Sequence, residues 1–238
     1  MEQIYCLSPG ALLYSVLRLH KSGIYGLPDI FSDISDAEFP ACIQKAEQEL
    51  LQKGYGMMDF DGNFTLEEAF AELVGQCADE RSVLLVDRRK KGRQNRMTCY
   101  LGNNVILTQD DSECVLRAGQ SIPAAVLDFL KLPAECKNLK EACVDSSLVT
   151  ARDISGLVEA GCSPVLAELI VSSAVGEGGY AQLTRITDRI QTQLLALAWG
   201  EEGTVNVGVE YTQEEELFRL TPVTVSQVEK QMEALVVG

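Results

Sequence analysis

One histidine, His20, and one tryptophan, Trp199, are all that this chain has of either residue. A single imidazole leaves any Ser/His/Asp or Cys/His nucleophile system with His20 alone as its base. Zinc sites want paired ligands two to four residues apart. The eight cysteines (Cys6, Cys42, Cys77, Cys99, Cys114, Cys136, Cys143 and Cys162) stand singly, with no C-x-x-C and no Cys/His cluster. They read as reduced and mostly buried thiols rather than a disulfide framework or a metal site. Long apolar runs are missing too. LLALAW and VLLV fall far short of the ~20 residues that a membrane span needs. The opening MEQIYCLSPG has neither a basic start nor an apolar run ahead of a small-residue cleavage site, so no signal peptide is expected. These absences lead to the expectation of a cytoplasmic protein without metal, cofactor or membrane insertion.

Positive charge is scarce. Twenty Lys and Arg face 35 Asp and Glu, for a net charge of −15. Phosphate binding rests on a positive footprint, so nucleic acid is not an expected partner. One stretch departs from this, DRRKKGRQNR at 87–96. It holds six of the twenty basic residues and one acid, leaving about −20 on the rest of the chain.

What is present is periodic. At 238 residues and 46% apolar, the chain can bury a sizeable core without a covalent staple. EQIYCL reads as a strand. Ser8-Pro9 caps a helix through ALLYSVLRLH. Ser35 with Glu38 three residues on reads as a capping box for a second helix ending at Gly54. DFDGN is a tight turn, and Thr65 with Glu68 marks a third helix. The period then changes to two. SVLLVD, RMTCYL, VILTQ and ECVLR, separated by Gly- and Asn-containing turns, read as an antiparallel meander.

The plan then repeats. IPAAVLDFL is a helix and LKEACVDSS a connection. TARDISGLVEAG and SPVLAELIVSSA are two helices. AQLTRIT, TQLLALAW, TVNVGVE and ELFRL are four more strands, and VTVSQVEKQMEAL is a closing helix. TQDDSECVLR (108–117) and TQEEELFR (212–219) end the two meanders alike, and Tyr100 and Trp199 stand beside matching turns. The expected architecture is α+β: one domain over 1–238, built of two similar halves, 1–117 and 113–238, around a central antiparallel sheet with two helical groups and pseudo-twofold symmetry.

No candidate active site emerges. Gly176–Gly179 lacks the lysine of a phosphate loop and reads as a flexible connection. The acids at Asp110-Asp111 and Glu214–Glu216 sit in turns, where carboxylates are usually solvated. His20 ends the first helix, where a positive charge is favourable. Met57 and Met58 are adaptable contacts or core. Helix, turn and short hairpin through 38–66 also follow a winged-helix order. Its would-be recognition helix carries Glu38, Glu47 and Glu49 against Lys45 and Lys53, the wrong sign for DNA.

The stretch AEQELLQKGYGMMDFDGNFTLEEAFAELVGQCADERSVLLVD, followed by CYLGNNVILTQDDSECVLRA, resembles the N-terminal half of EspG-like proteins, cytosolic chaperones of ESX or type VII secretion. The matching features are a helix ending Leu-x-x-x-Gly, the Asp61-Gly62 turn, the following helix and a meander with a Gly turn. The second half is similar in element order. The resemblance implies a central antiparallel sheet, two helical bundles and no enzymatic activity. It implies a partner as well, a helical secreted protein or helical-hairpin substrate whose apolar tip is masked. By position, the family's binding hairpin corresponds to Asp87–Arg96, with Arg88, Arg89, Lys90, Lys91, Arg93 and Arg96. Its C-terminal bundle corresponds to about 150–175, with Leu157, Val165 and Leu169. The alternative reading is a winged-helix-derived scaffold or regulator, also without enzymatic activity.

Overall fold

The structure is a computed structural model, describing residues 3–32, 34–110, 112–134, 136, 139–188, 190–212 and 215–237. It is α+β, with eight helices and a large antiparallel sheet among the described residues. Two compact units divide the chain. One holds Met1–Leu84, Arg96–Ser121 and Ile186–Arg189; the other holds Leu85–Asn95, Ile122–Arg185 and Ile190–Gly238.

The first unit opens with β1 (Gln3–Leu7) and α1 (Pro9–Arg18). Ser8 caps α1 as its sequence implies, its Oγ accepting from the Ala11 amide at 3.2 Å, with Pro9 in the first turn. The second helix, α2 (Phe39–Lys53), begins later than the Ser35 signal suggests. Pro40 fits only a first turn, which pins the start there. Glu38 takes the N-cap position without a side-chain capping bond, and Ser35 Oγ donates to its carboxylate at 2.6 Å instead. Gly54, at φ 74°, ends the helix in the left-handed conformation. The acids of α2 turn inward: Glu49 accepts from the amide and hydroxyl of Ser8, and Glu47 from the Tyr14 hydroxyl.

A small hairpin follows, β2 (Gly56–Met58) with β3 (Phe64–Leu66). Thr65 is therefore a strand residue, paired with Met57. The cap of α3 (Glu68–Asp79) is Glu67, whose carboxylate accepts from the Ala69 and Phe70 amides. Tyr5, Tyr55 and Phe70 pack ring against ring at 5.0–5.3 Å, tying β1 to α3 and the hairpin's root. The meander is β4 (Ser82–Lys90), β5 (Arg93–Tyr100), β6 (Val105–Gln109) and β7 (Cys114–Ala118). β1 pairs with β7, Gln3 opposite Ala118.

In the second unit α4 (Ile122–Leu130) precedes β8 (Ala142–Asp145), a strand inside the stretch read as a connection. It pairs with a strand more than seventy residues on, so nothing local announces it. The helix expected over 150–161 is two short ones, α5 (Ser146–Ala151) and α6 (Ile154–Glu159). They break at Arg152, φ 59°, because Asp153 starts a new helix by accepting from the Gly156 amide. α7 (Pro164–Ala174) is capped by Ser163. β9 (Gly179–Thr187), β10 (Ile190–Gly200), β11 (Gly203–Tyr211) and β12 (Glu216–Val223) form the second meander, and α8 (Val225–Val237) closes the chain. The Gly-rich break before β9 is tied rather than loose. Gly178 N donates to Ser172 O, and Gly176 O accepts from Gly92 N, both at 3.0 Å.

The element order thus repeats. A strand, three helices, a four-strand meander and a helix occur twice, and β8 pairs with β12 as β1 pairs with β7. Tyr100 lies opposite Val105 and Trp199 opposite Thr204, each across four residues, and both rings are fully buried. The two similar endings close their turns differently. Asp110 accepts from the Ser112 and Glu113 amides, whereas Thr212 Oγ1 accepts from the Glu215 amide. Asp111 and Glu214 lie outside the described residues.

Candidate functional site

The basic stretch forms the β4–β5 hairpin. Its two-residue turn, Lys91-Gly92, has φ 50° and 72°, the left-handed pair whose twist matches flanking antiparallel strands. The tip, assigned to the second unit, is held against that unit on three sides. Gly92 N bonds to Gly176 O. The Arg88 guanidinium lies over the Phe129 ring at 5.5 Å and donates to the Phe129 carbonyl at the end of α4. Arg89 lies over the ring of Tyr180 at 6.0 Å. Burial pulls the Arg88 guanidinium below its ordinary pKa, a mark of a structural arginine more than a docking one. Lys91, Arg93 and Arg96 are exposed, while Lys90 is half-buried. Lys90 and Lys91 line a hollow of about 490 Å³ with Lys131 and the Trp199 edge.

The three apolar candidates separate in the same way. Leu157 is fully buried and Leu169 is 5% exposed; both belong to the core that includes Leu166, Ile170, Ala198 and Leu220. Val165, on the outer side of α7, is 41% exposed. The geometry therefore offers Val165, Lys91, Arg93 and Arg96 as surface, places Arg88 in a structural clasp, and places Leu157 and Leu169 beneath.

A cleft that was not read from the sequence lies in the second unit, about 560 Å³ in volume. β10 and β11 pair from Leu197 opposite Asn206 to Gly200 opposite Gly203, beside the cleft. On the cleft face β10 presents Ala196 and Ala198, side chains too small to close the opening. Val207 and Val209 of β11 and Phe218 of β12 form one wall, and Val149 and Ile170 of α5 and α7 the other. Tyr180 borders it, its phenol pKa raised by burial against the opposing pull of Arg89. Arg89 and Arg152 bring positive charge, against one acid among the lining residues, Glu216. An apolar hollow with a few polar groups at its rim, continuous with a core, is a place for an apolar side chain or ligand to dock.

Another exposed apolar group is in the first unit. Met57, Met58 and Phe60 stand out on the β2–β3 hairpin, Phe60 completely exposed at its tip. The two methionines were singled out in the sequence and Phe60 was not. Its position between two aspartates in a turn is the signal that could have found it. Elsewhere, no group of three His, Cys, Asp or Glu among the described residues is placed to hold a metal ion. No helix among them is long and apolar enough to cross a membrane.

An α+β chain with a long antiparallel sheet and repeated strand–helix order is a fold already seen among solved structures. No family model matches this chain, and no curated protein sequence does. Among the solved structures that match is a type VII secretion system chaperone. The Mycobacterium tuberculosis protein EspG5, solved in complex with the PE25–PPE41 dimer, aligns with TM-score 0.65 and 12% identity, over 97% of this chain and 95% of that one. The two share a fold along essentially their whole lengths.

Proposed function

We propose that this chain is a non-enzymatic cytoplasmic chaperone or adaptor, which masks an apolar helical segment of a protein bound for a type VII-like secretion system. The observation that carries the reading is the fold shared end to end with EspG5, a chaperone solved with its PE25–PPE41 dimer. The cleft of the second unit supports it. Val207, Val209 and Phe218 offer apolar walls that a helix would fill with side chains at i, i+3 and i+4. Desolvating a few such anchors provides affinity, while Lys91, Arg93 and Arg96 on the hairpin set orientation and on-rate for an acidic client. Val165 extends the apolar surface, with Leu157 and Leu169 supporting it from the core.

The test has two stages. The tagged chain is used to capture partners from its native cytosol, and the captured protein is then purified alone and mixed back at known ratio. Recovery of a small helical exported protein in near-stoichiometric amount, with its light scattering suppressed at one equivalent of this chain, supports the reading. A folded monomer that captures no exported protein, or one that leaves the scattering unchanged, overturns it.

A further inference from the structure

The β2–β3 hairpin and the cleft of the second unit are complementary in both shape class and charge. The hairpin turn is built to be rigid. One Asp59 carboxylate oxygen accepts from the Asp61 amide at 2.9 Å and the Asn63 amide at 2.8 Å. The other accepts from Asn63 Nδ2 at 2.9 Å. Gly62, at φ 81°, allows the chain to double back. The result presents Phe60 as a fully exposed aromatic knob between two carboxylates, with Met57 and Met58 exposed behind it. An aromatic held in this way brings a large apolar area at little entropic cost. The cleft has the opposite character. It is an apolar hollow left by Ala196 and Ala198, with the guanidiniums of Arg89 and Arg152 among its lining and Arg89 already braced on Tyr180.

We propose that the Asp59–Phe60–Asp61 tip of one copy of this chain docks into the apolar cleft of a second copy, with Phe60 between the cleft walls and the aspartates facing Arg89 and Arg152. Knob and hole are different surfaces, one in each compact unit, so every copy carries one of each. One aromatic and two methionines cover far less than a standard interface, so the association is weak and reversible. The net charge of −15 opposes it at low salt, and physiological salt screens that repulsion. The docked tip occupies the cleft that the client reading gives to a client helix, so the two compete, but self-docking needs no other protein and is tested without one.

Sedimentation velocity of the purified full chain tests it, from about 5 to 500 μM in about 0.15 M salt. The expected result is a weight-average mass that rises above 26.0 kDa with concentration. Phe60→Ser, at a fully exposed site that leaves folding alone, weakens association at least tenfold. Asp61→Arg and Arg152→Glu each weaken it too. A mixture of those two single variants regains association, because the intact tip of one meets the intact cleft of the other and the reversed tip meets the reversed cleft. A chain that stays at monomer mass throughout overturns the proposal. So does association that Phe60→Ser leaves intact, or a mixture that fails to recover it.

Discussion

The guanidinium of Arg88 lies over the ring of Phe129 and donates to the carbonyl of that same residue. One side chain thus fastens the hairpin to the last turn of α4. Arg88→Glu removes the stacking and the bond, and leaves a carboxylate facing a carbonyl. A cost of about 2–4 kcal/mol is expected, the scale of a broken, partly buried charged contact. For a chain of this size that lowers the melting temperature by several degrees. Replacing Lys91 and Arg93, both exposed, by glutamate leaves the melting temperature within a degree or two. A thermal melt of the two variants separates clasp from surface; equal melting temperatures would contradict the assignment.

The same pair of exposed substitutions tests the orienting role of the hairpin. With the captured client, Lys91→Glu together with Arg93→Glu lowers affinity by roughly tenfold at low ionic strength, mostly through the on-rate. The loss shrinks at about 0.5 M salt, where the screening length is only a few ångströms. Salt-independent loss in surface plasmon resonance would point to a packing defect, and no loss would remove these residues from the contact.

Gly179 lies against the Trp199 indole: a Cβ added there would fall 2.1 Å from Cε2. The conflict is steric, since Gly179 is in ordinary extended backbone at the start of β9. Gly179→Ala is expected to cost about 1–3 kcal/mol by overpacking. Gly200→Ala, whose Cβ meets only Leu169 at 3.8 Å, serves as the control with a much smaller effect. Trp199 is the only tryptophan, so its emission reports directly on the strain. A red-shifted spectrum and lowered denaturation midpoint for Gly179→Ala alone is the expected pattern.

Acid should weaken the junction of β1 and α2. Burial raises the pKa of Glu49, but the Ser8 hydroxyl and amide and the Lys53 ammonium outweigh it, and the net value is below the ordinary 4.5. A carboxylate depressed in the folded state stabilises above its unfolded pKa, and that contribution is lost as pH falls from 4.5 through the folded value. Glu49→Gln is expected to cost about 1 kcal/mol at pH 7, the group being partly exposed. Urea denaturation of both chains at pH 7 and near pH 3 should show the difference shrinking on acidification. A constant difference would mean that the charge plays no part.

Local chemistry made much of this fold readable. Ser8-Pro9 announces α1, Gly54 ends α2, and the turns at Lys91-Gly92 and Asn103-Asn104 divide the first meander. Non-local features escaped. β8 exists because Ala142–Asp145 meets Leu217–Leu220, a pairing that no local propensity encodes. The break at Arg152 needs a left-handed non-glycine residue, which a helical pattern conceals. The basic hairpin was visible as charge, while its clasp on Phe129 was not. The cleft depended on phase. LLALAW contains two alanines, and only the fold shows that the face Ala196 and Ala198 share borders the cleft. Leu157 and Leu169, picked by position, went to the core because their helices turn them there.

The pairing of Gln3–Leu7 with Cys114–Ala118 carries a consequence for synthesis. A ribosome makes β1 first and its partner more than a hundred residues later, at roughly 5–20 residues per second. For about 6–20 s, and longer while β7 clears the exit tunnel, the nascent chain holds a finished strand with nothing to lie beside. The two helices that follow it, α1 and α2, supply interim cover through Ser8 and Lys53, which bond Glu49 and the Cys6 carbonyl without waiting for the sheet. Vectorial production of this protein is thus a matter of sheltering β1 until β7 arrives.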